Sequence, residues 1–233
     1  MVKAELVKRS PLRILERSIH GGLSAGSIGA IASPKGVGKT ACLVHMATDQ
    51  LFQSKHVIHV SFAGRTDHII NWYEDIFKEI ARKRNLDNAM SVHDELIRNR
   101  VVMNFSQEGV GADQVLRSVK AMIHEGRFAA DLIIFDGYSF AKGSVDDFRK
   151  IKAFAAELGL AVWFSASLPD EQADEHGVPC LLGSYLGEID VVITLSPETG
   201  YVKLTLVKDY DHYPQEDQHL RLDPRTLLIA EGD

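Results

Sequence analysis

Ser33-Pro34-Lys35-Gly36-Val37-Gly38-Lys39-Thr40 is the stretch on which the reading of this chain turns. It is one residue short of the phosphate-binding P-loop pattern G-x-x-x-x-G-K-[ST], with Ser33 where the first glycine is expected. Both flanks suit the motif. Upstream, Ser27-Ile28-Gly29-Ala30-Ile31-Ala32 reads as a short buried strand. Downstream, residues 41–55 read as a helix, with Val44, Ala47 and Leu51 at helical spacing. A strand, a tight loop and a helix N-terminus make an anion trap, because backbone N–H groups converge and the helix dipole favours negative charge. Ser33, Pro34, Lys35, Gly36, Val37, Gly38, Lys39, Thr40 and Ala41 would then surround the phosphates of a nucleotide. Lys39 is placed to reach the β- and γ-phosphates, a catalytic as well as a binding role, and the Thr40 hydroxyl to hold Mg²⁺. Lys35 reads as a solvated loop lysine. Ser33 poses a conformational question, since a position that needs φ > 0 strains serine.

Composition bounds the rest. At 233 residues the chain can bury a sizeable core. It reads as a single nucleotide-binding domain over residues 1–233. No apolar run is long enough to cross a membrane, and the first residues lack the apolar core of a signal peptide. The two cysteines, Cys42 and Cys180, have no metal-type spacing, so free thiols and a cytoplasmic setting are expected. The net charge of −6 argues against a large nucleic-acid footprint, which clustered Lys and Arg normally supply. The basic cluster Arg82-Lys83-Arg84 ends a predicted helix and suits its dipole.

Apolar strand-like runs alternate with amphipathic helices. Val57-Ile58-His59-Val60-Ser61-Phe62 reads as a strand, and Ile69, Tyr73, Ile76, Phe77 and Ile80 form a helical stripe. A helix over residues 91–98, a strand at 101–103 and a helix marked by Val115, Leu116, Val119, Met122 and Ile123 follow. Leu132-Ile133-Ile134-Phe135 is the unbroken apolar run of a central parallel strand. Ser144, with Asp147 three residues on, opens a helix that Gly159 stops, and residues 160–164 form the next strand. The pattern predicts an α/β fold, a mostly parallel sheet with helices on both faces. Residues 191–195 and 201–207 flank Ser196-Pro197-Glu198-Thr199-Gly200 and read as an antiparallel hairpin at the sheet edge.

A P-loop needs a second acid for its metal. Asp136 directly follows the apolar run 132–135, at the carboxyl end of a buried strand, where open α/β sheets bind ligands. It is the candidate partner of Thr40 in holding Mg²⁺. The histidines read as scattered: His56 and His59 lie three apart on a strand and face opposite sides. The acidic stretch from Asp170 to His176 reads as a solvated loop, and Ser165 and Ser167 as strand-end residues that face one way.

Gly21-Gly22-Leu23-Ser24-Ala25-Gly26-Ser27-Ile28, the loop after it and the phrase Val60-Ser61-Phe62 resemble the RecA superfamily of P-loop ATPases, in particular its KaiC- and RadA-like branch. Leu204-Thr205-Leu206-Val207-Lys208 resembles that branch's late hairpin, so the likeness spans nearly the whole chain. The resemblance implies a RecA-like core, ATP and Mg²⁺ as ligands, and assembly into rings or filaments. It also implies a glutamate after the Val-Ser-Phe strand and a Lys-x-Arg at the late hairpin, reaching the γ-phosphate of a neighbouring subunit. Here Ala63 and Gly64 occupy the glutamate positions, and Lys208-Asp209-Tyr210 keeps the lysine without the arginine. Lys208 is therefore a candidate catalytic residue or an ordinary hairpin lysine. These departures predict an ATP-binding protein that hydrolyses slowly or not at all and acts as a regulator through a homo-oligomer or a protein partner. An active ATPase motor or recombinase acting on DNA is the alternative. The acidic loop falls where RecA-type recombinases carry a DNA-binding loop, so DNA is not the expected partner.

Overall fold

The computed structural model describes residues 1–62, 67–106, 111–170 and 172–232. Two short helices, α1 (Lys3–Lys8) and α2 (Leu12–Ser18), precede the first strand, β1 (Ile28–Pro34). Then come α3 (Lys39–Phe52), β2 (Val57–Ser61), α4 (Asp67–Arg84), α5 (Ala89–Arg98) and β3 (Arg100–Asn104). The chain continues through α6 (Ala112–His124), β4 (Leu132–Asp136), α7 (Val145–Leu158), β5 (Ala161–Leu168) and a 3₁₀ turn at Cys180–Tyr185. It ends in β6 (Val191–Glu198), β7 (Tyr201–Asp209), β8 (Glu216–Leu222) and β9 (Ile229–Glu231). The strands form one sheet in the order β3-β2-β4-β5-β1-β6-β7-β8-β9. From β3 to β6 every pairing is parallel, and from β6 to β9 every pairing is antiparallel.

Strand alternation divides the core. Ile31, Leu132 and Ile134 point to the side of α3 and α4, whereas Ala30, Ala32, Ile133 and Phe135 point to the side of α6 and α7. With both faces covered, β1 and β4 need apolar residues at every position, which is why they read as unbroken runs. The Ser144 hydroxyl accepts from the Asp147 N–H at 3.1 Å and caps α7, and Gly159 ends it at φ 67°. Arg82 at the end of α4 pairs with Glu79 and is solvated, as its position on the dipole predicts. Among the described residues no helix is long and apolar enough to cross a membrane.

The tail corrects one expectation. The hairpin of β6 and β7 is not at the sheet edge: β8 pairs with β7, and β9 pairs with β8. Glu216–Leu222 is mostly polar, with a left-handed residue at His219, so it carries no apolar alternation to read as a strand. It is held instead by backbone pairing and by Leu220 and Leu222 in the core. The strands at 27–32 and 160–164 also run further than expected, to Pro34 and Leu168.

His45 fastens this tail to α3. Its Nδ1 accepts the Ile229 N–H at 2.8 Å, and burial lowers its pKa from 6.5 to about 4. The folded state binds the proton less readily than the unfolded chain. The stability gained from the neutral ring is therefore complete above pH 6.5 and is lost as pH falls through about 4. Denaturation midpoints measured from about pH 7 down to pH 4 should fall steeply for the parent and less steeply for His45→Gln. An equally steep fall in the variant would remove His45 as the source.

Candidate functional site

The loop between β1 and α3 explains its own departure from the P-loop pattern. Ser33 is the penultimate residue of the extended strand β1, paired with Ser167 of β5, so it needs no left-handed backbone. The left-handed positions are Gly36 at φ 87° and Gly38 at φ 120°. A Cβ at Gly38 would also fall 2.5 Å from Leu222 Cδ2 of β8, so glycine is needed there twice over. The Lys39 ammonium folds back over the loop, donating to the Ser33 and Pro34 carbonyls, each at 2.9 Å, and to Ser33 Oγ at 3.3 Å. Burial lowers its pKa to about 8, with Asp136 working in the opposite direction. Phosphate oxygens arriving at this amine would restore full charge to it.

Thr40 and Asp136 meet as their sequence positions predict. The Thr40 hydroxyl lies 3.2 Å from Oδ1 and 2.9 Å from Oδ2 of Asp136. Burial works to raise the Asp136 pKa, but His59, Ser165 and Thr40 outweigh it and hold the carboxyl below its ordinary value. The Gly137 N–H donates to Ser165 Oγ at 2.7 Å, fixing the turn after β4.

These groups line a pocket of about 730 Å³, inside the range of small-molecule sites. Lys35, Gly36, Gly38, Lys39, Thr40 and Ala41 form one wall and Asp136 with the turn after it another, whereas Ser33, Pro34 and Val37 are not brought into the lining. Ser165 and Ser167 both line the pocket, as residues two apart on a strand must. Phe62 and Trp72 contribute an aromatic wall. Among the described residues lining it, Asp136 is the acid. Lys208 is not brought to this pocket. It sits on β7 opposite Val192, near the start of β6, and its buried amine donates to the Ile189 carbonyl at 2.7 Å. Desolvation lowers its pKa. Ala63 and Gly64 lie outside the described residues. Tyr210, where the resemblance implies an arginine, donates its hydroxyl to Ser24 Oγ at 3.1 Å and also lies 3.3 Å from Ser27 Oγ.

Sequence reasoning missed His59. It is fully buried on β2 with Nε2 3.9 Å from Asp136 Oδ2, whereas His56 precedes the strand, half-exposed beside Asp131. The signal was present: a histidine in a mostly apolar strand that ends beside the candidate metal acid.

In sequence, residues 2–162 match the AAA domain family. The chain belongs to the AAA domain family. No curated protein matches it in sequence. Among solved structures it is similar to an ATPase domain, with 16% identity, a TM-score of 0.68, and coverage of 96% of this chain and 90% of that one. At that identity the likeness concerns the fold, which is the RecA-like P-loop arrangement. This AAA domain thus has the architecture and the loop of a P-loop nucleotide-binding protein.

The residues present fit a nucleotide with a divalent cation. Gly36 and Gly38 give the loop its left-handed turns, and a buried carboxylate below its ordinary pKa stands within 3.2 Å of the hydroxyl that the motif assigns to the metal. Thr40 and Asp136 would hold Mg²⁺, which neutralises phosphate charge when bound. Gly36, Gly38, Lys39 and the first turn of α3 would hold the phosphates.

Proposed function

We propose that this chain is a single cytoplasmic nucleotide-binding domain of the KaiC- and RadA-like kind. It binds ATP with Mg²⁺, turns it over slowly or not at all, and regulates a homo-oligomer or a protein partner through its nucleotide state. The observation that carries the reading is the Lys39–Thr40–Asp136 constellation in a pocket whose described lining offers no second acid to prepare a water. Ground-state grip and catalysis are then separable, because a site that holds phosphates without positioning the attacking water gains binding and little rate.

The test is titration with ATP, with and without Mg²⁺. Trp72 lines the pocket and serves as an intrinsic fluorescent reporter, while the other tryptophan, Trp163, is buried in the core. Lys39→Ala should bind ATP at least about tenfold more weakly in both conditions, which is about 1.4 kcal/mol or more. Thr40→Ala should weaken binding only when Mg²⁺ is present. A Lys39→Ala protein that binds as well as the parent would refute the reading. Sub-micromolar affinity for DNA near physiological salt, falling steeply as salt rises, would favour the motor instead.

A further inference from the structure

His59 is a buried polar group beside Asp136 whose geometry the nucleotide site has not yet explained. Its ring has no exposed surface. Nδ1 lies 3.1 Å from the Tyr73 hydroxyl of α4, and the two rings meet edge to face at 5.7 Å. Tyr73 is held in turn by the Arg100 guanidinium, 4.2 Å above its ring centre. The imidazole is therefore clamped from the helix side. Nε2 is different. It has no hydrogen-bond partner among the described residues, and it faces Asp136 Oδ2 across 3.9 Å. That is about 1 Å too long for a hydrogen bond.

Buried polar atoms are rarely left without a partner, so an orphan beside a metal-type carboxylate calls for an explanation. The tautomer is set by the neighbours. A buried tyrosine keeps its proton and donates it to Nδ1, which leaves the other ring proton on Nε2, aimed at a carboxylate that can only accept. The hydroxyl of Thr40 currently contacts both Asp136 oxygens, at 3.2 and 2.9 Å, and holds the carboxylate toward the P-loop.

We propose that His59 is a positioning residue for Asp136: its Nε2–H takes Oδ2 when the Thr40 hydroxyl turns from the carboxylate to a divalent cation. A shift of about 1 Å is enough to bring Oδ2 within reach. With one oxygen held by the imidazole, the other is presented in a fixed direction, as outer-shell partners do for carboxylate ligands at metal sites. The clamp through Tyr73 and Arg100 keeps the ring from following the carboxylate if it moves away. This inference rests on the P-loop reading and adds a residue to it.

Two substitutions separate positioning from mere space-filling. His59→Gln can place a side-chain N–H near the position of Nε2. His59→Asn keeps an acceptor toward Tyr73 but is too short to reach Asp136. ATP binding is measured by calorimetry on the whole chain, with and without Mg²⁺. We expect His59→Asn to lose about tenfold or more of the Mg²⁺-dependent affinity, with metal-free ATP binding unchanged. His59→Gln should stay within about threefold of the parent, a far smaller loss than removing an outer-shell partner brings. Equal Mg²⁺ dependence in His59→Asn and the parent overturns the proposal, and so does an equal loss in both variants. A readout on the unmutated protein guards against variants that fail to fold. The Nε2–H proton resonance of His59 should move downfield when Mg²⁺ and ATP are added together, and not with ATP alone. An unmoved resonance overturns the proposal. If the parent itself binds no ATP, the P-loop reading has failed, which is a different result from ATP binding that is indifferent to residue 59.

Discussion

The parent protein, saturated with Mg·ATP, is expected to release phosphate far below the ~1 s⁻¹ at the low end of typical enzymes. On the proposed function, two separate contributions to the barrier are missing among the described residues. A positioned acid that prepares the water is worth about 10²–10⁴ in rate. The described pocket lining offers Asp136 alone, and that carboxylate is held by Thr40 and is the acid proposed to hold the metal. An arginine meeting the transferred phosphoryl is worth about 10³–10⁵ in related enzymes. Where the resemblance to KaiC-like proteins implies such an arginine, this chain has Tyr210, whose hydroxyl is bound to Ser24. Because phosphoryl transfer depends on positioning and charge, the intact grip still permits a slow reaction. Ala63→Glu should raise the rate, most clearly in an assembled oligomer. Phosphate release assayed on the same samples used for binding decides the matter. A parent that turns over several ATP per second would show that another group prepares the water.

The second large effect concerns stability. Phe148→Ala is expected to cost about 3–5 kcal/mol, read as a lowered denaturant midpoint with an unchanged slope. The Phe148 ring is fully buried and sits among Phe164 at 4.7 Å, Tyr185 at 4.8 Å, Phe140 at 5.3 Å and Tyr138 at 5.6 Å between ring centres. Four aromatic neighbours cannot all move inward to fill the space that an alanine leaves, so most of the cavity persists. Tyr138 and Phe140 belong to the turn that follows Asp136, so the loss should also loosen the nucleotide pocket. A cost under about 1 kcal/mol would mean that this cluster collapses freely.

The parallel half of the fold was legible because β1, β2, β4 and β5 are buried on both faces and α4, α6 and α7 on one. Those two conditions write themselves as unbroken apolar runs and as 3.6-residue stripes. That Lys39, Thr40 and Asp136 come together was legible for a related reason, since the loop pattern sets the first two at a helix start and the apolar run before Asp136 sets it at a strand end. The tail was not. In β8 the stabilising groups are backbone N–H and C=O, which every sequence carries, and Gln218 is a buried polar residue in the middle of the strand. His59 escaped because its partners, Tyr73 and Asp136, are 14 and 77 positions away along the chain and become neighbours only when β2 pairs with β4 and α4 packs above. The strain that a positive φ would put on Ser33 does not arise, because the extended end of β1 needs no glycine.

Leu222 of β8 rests its Cδ2 2.5 Å from where a Cβ at Gly38 would stand, so the last part of the chain is the floor beneath the first turn of the phosphate loop. The stretch that kinship recognises stops at residue 162, inside β5 and before every antiparallel strand. The family match and the packing around the phosphate loop therefore end at different places in the chain. A fragment cut at the border of the family match would carry every residue of the motif and lack the surface that holds it in shape.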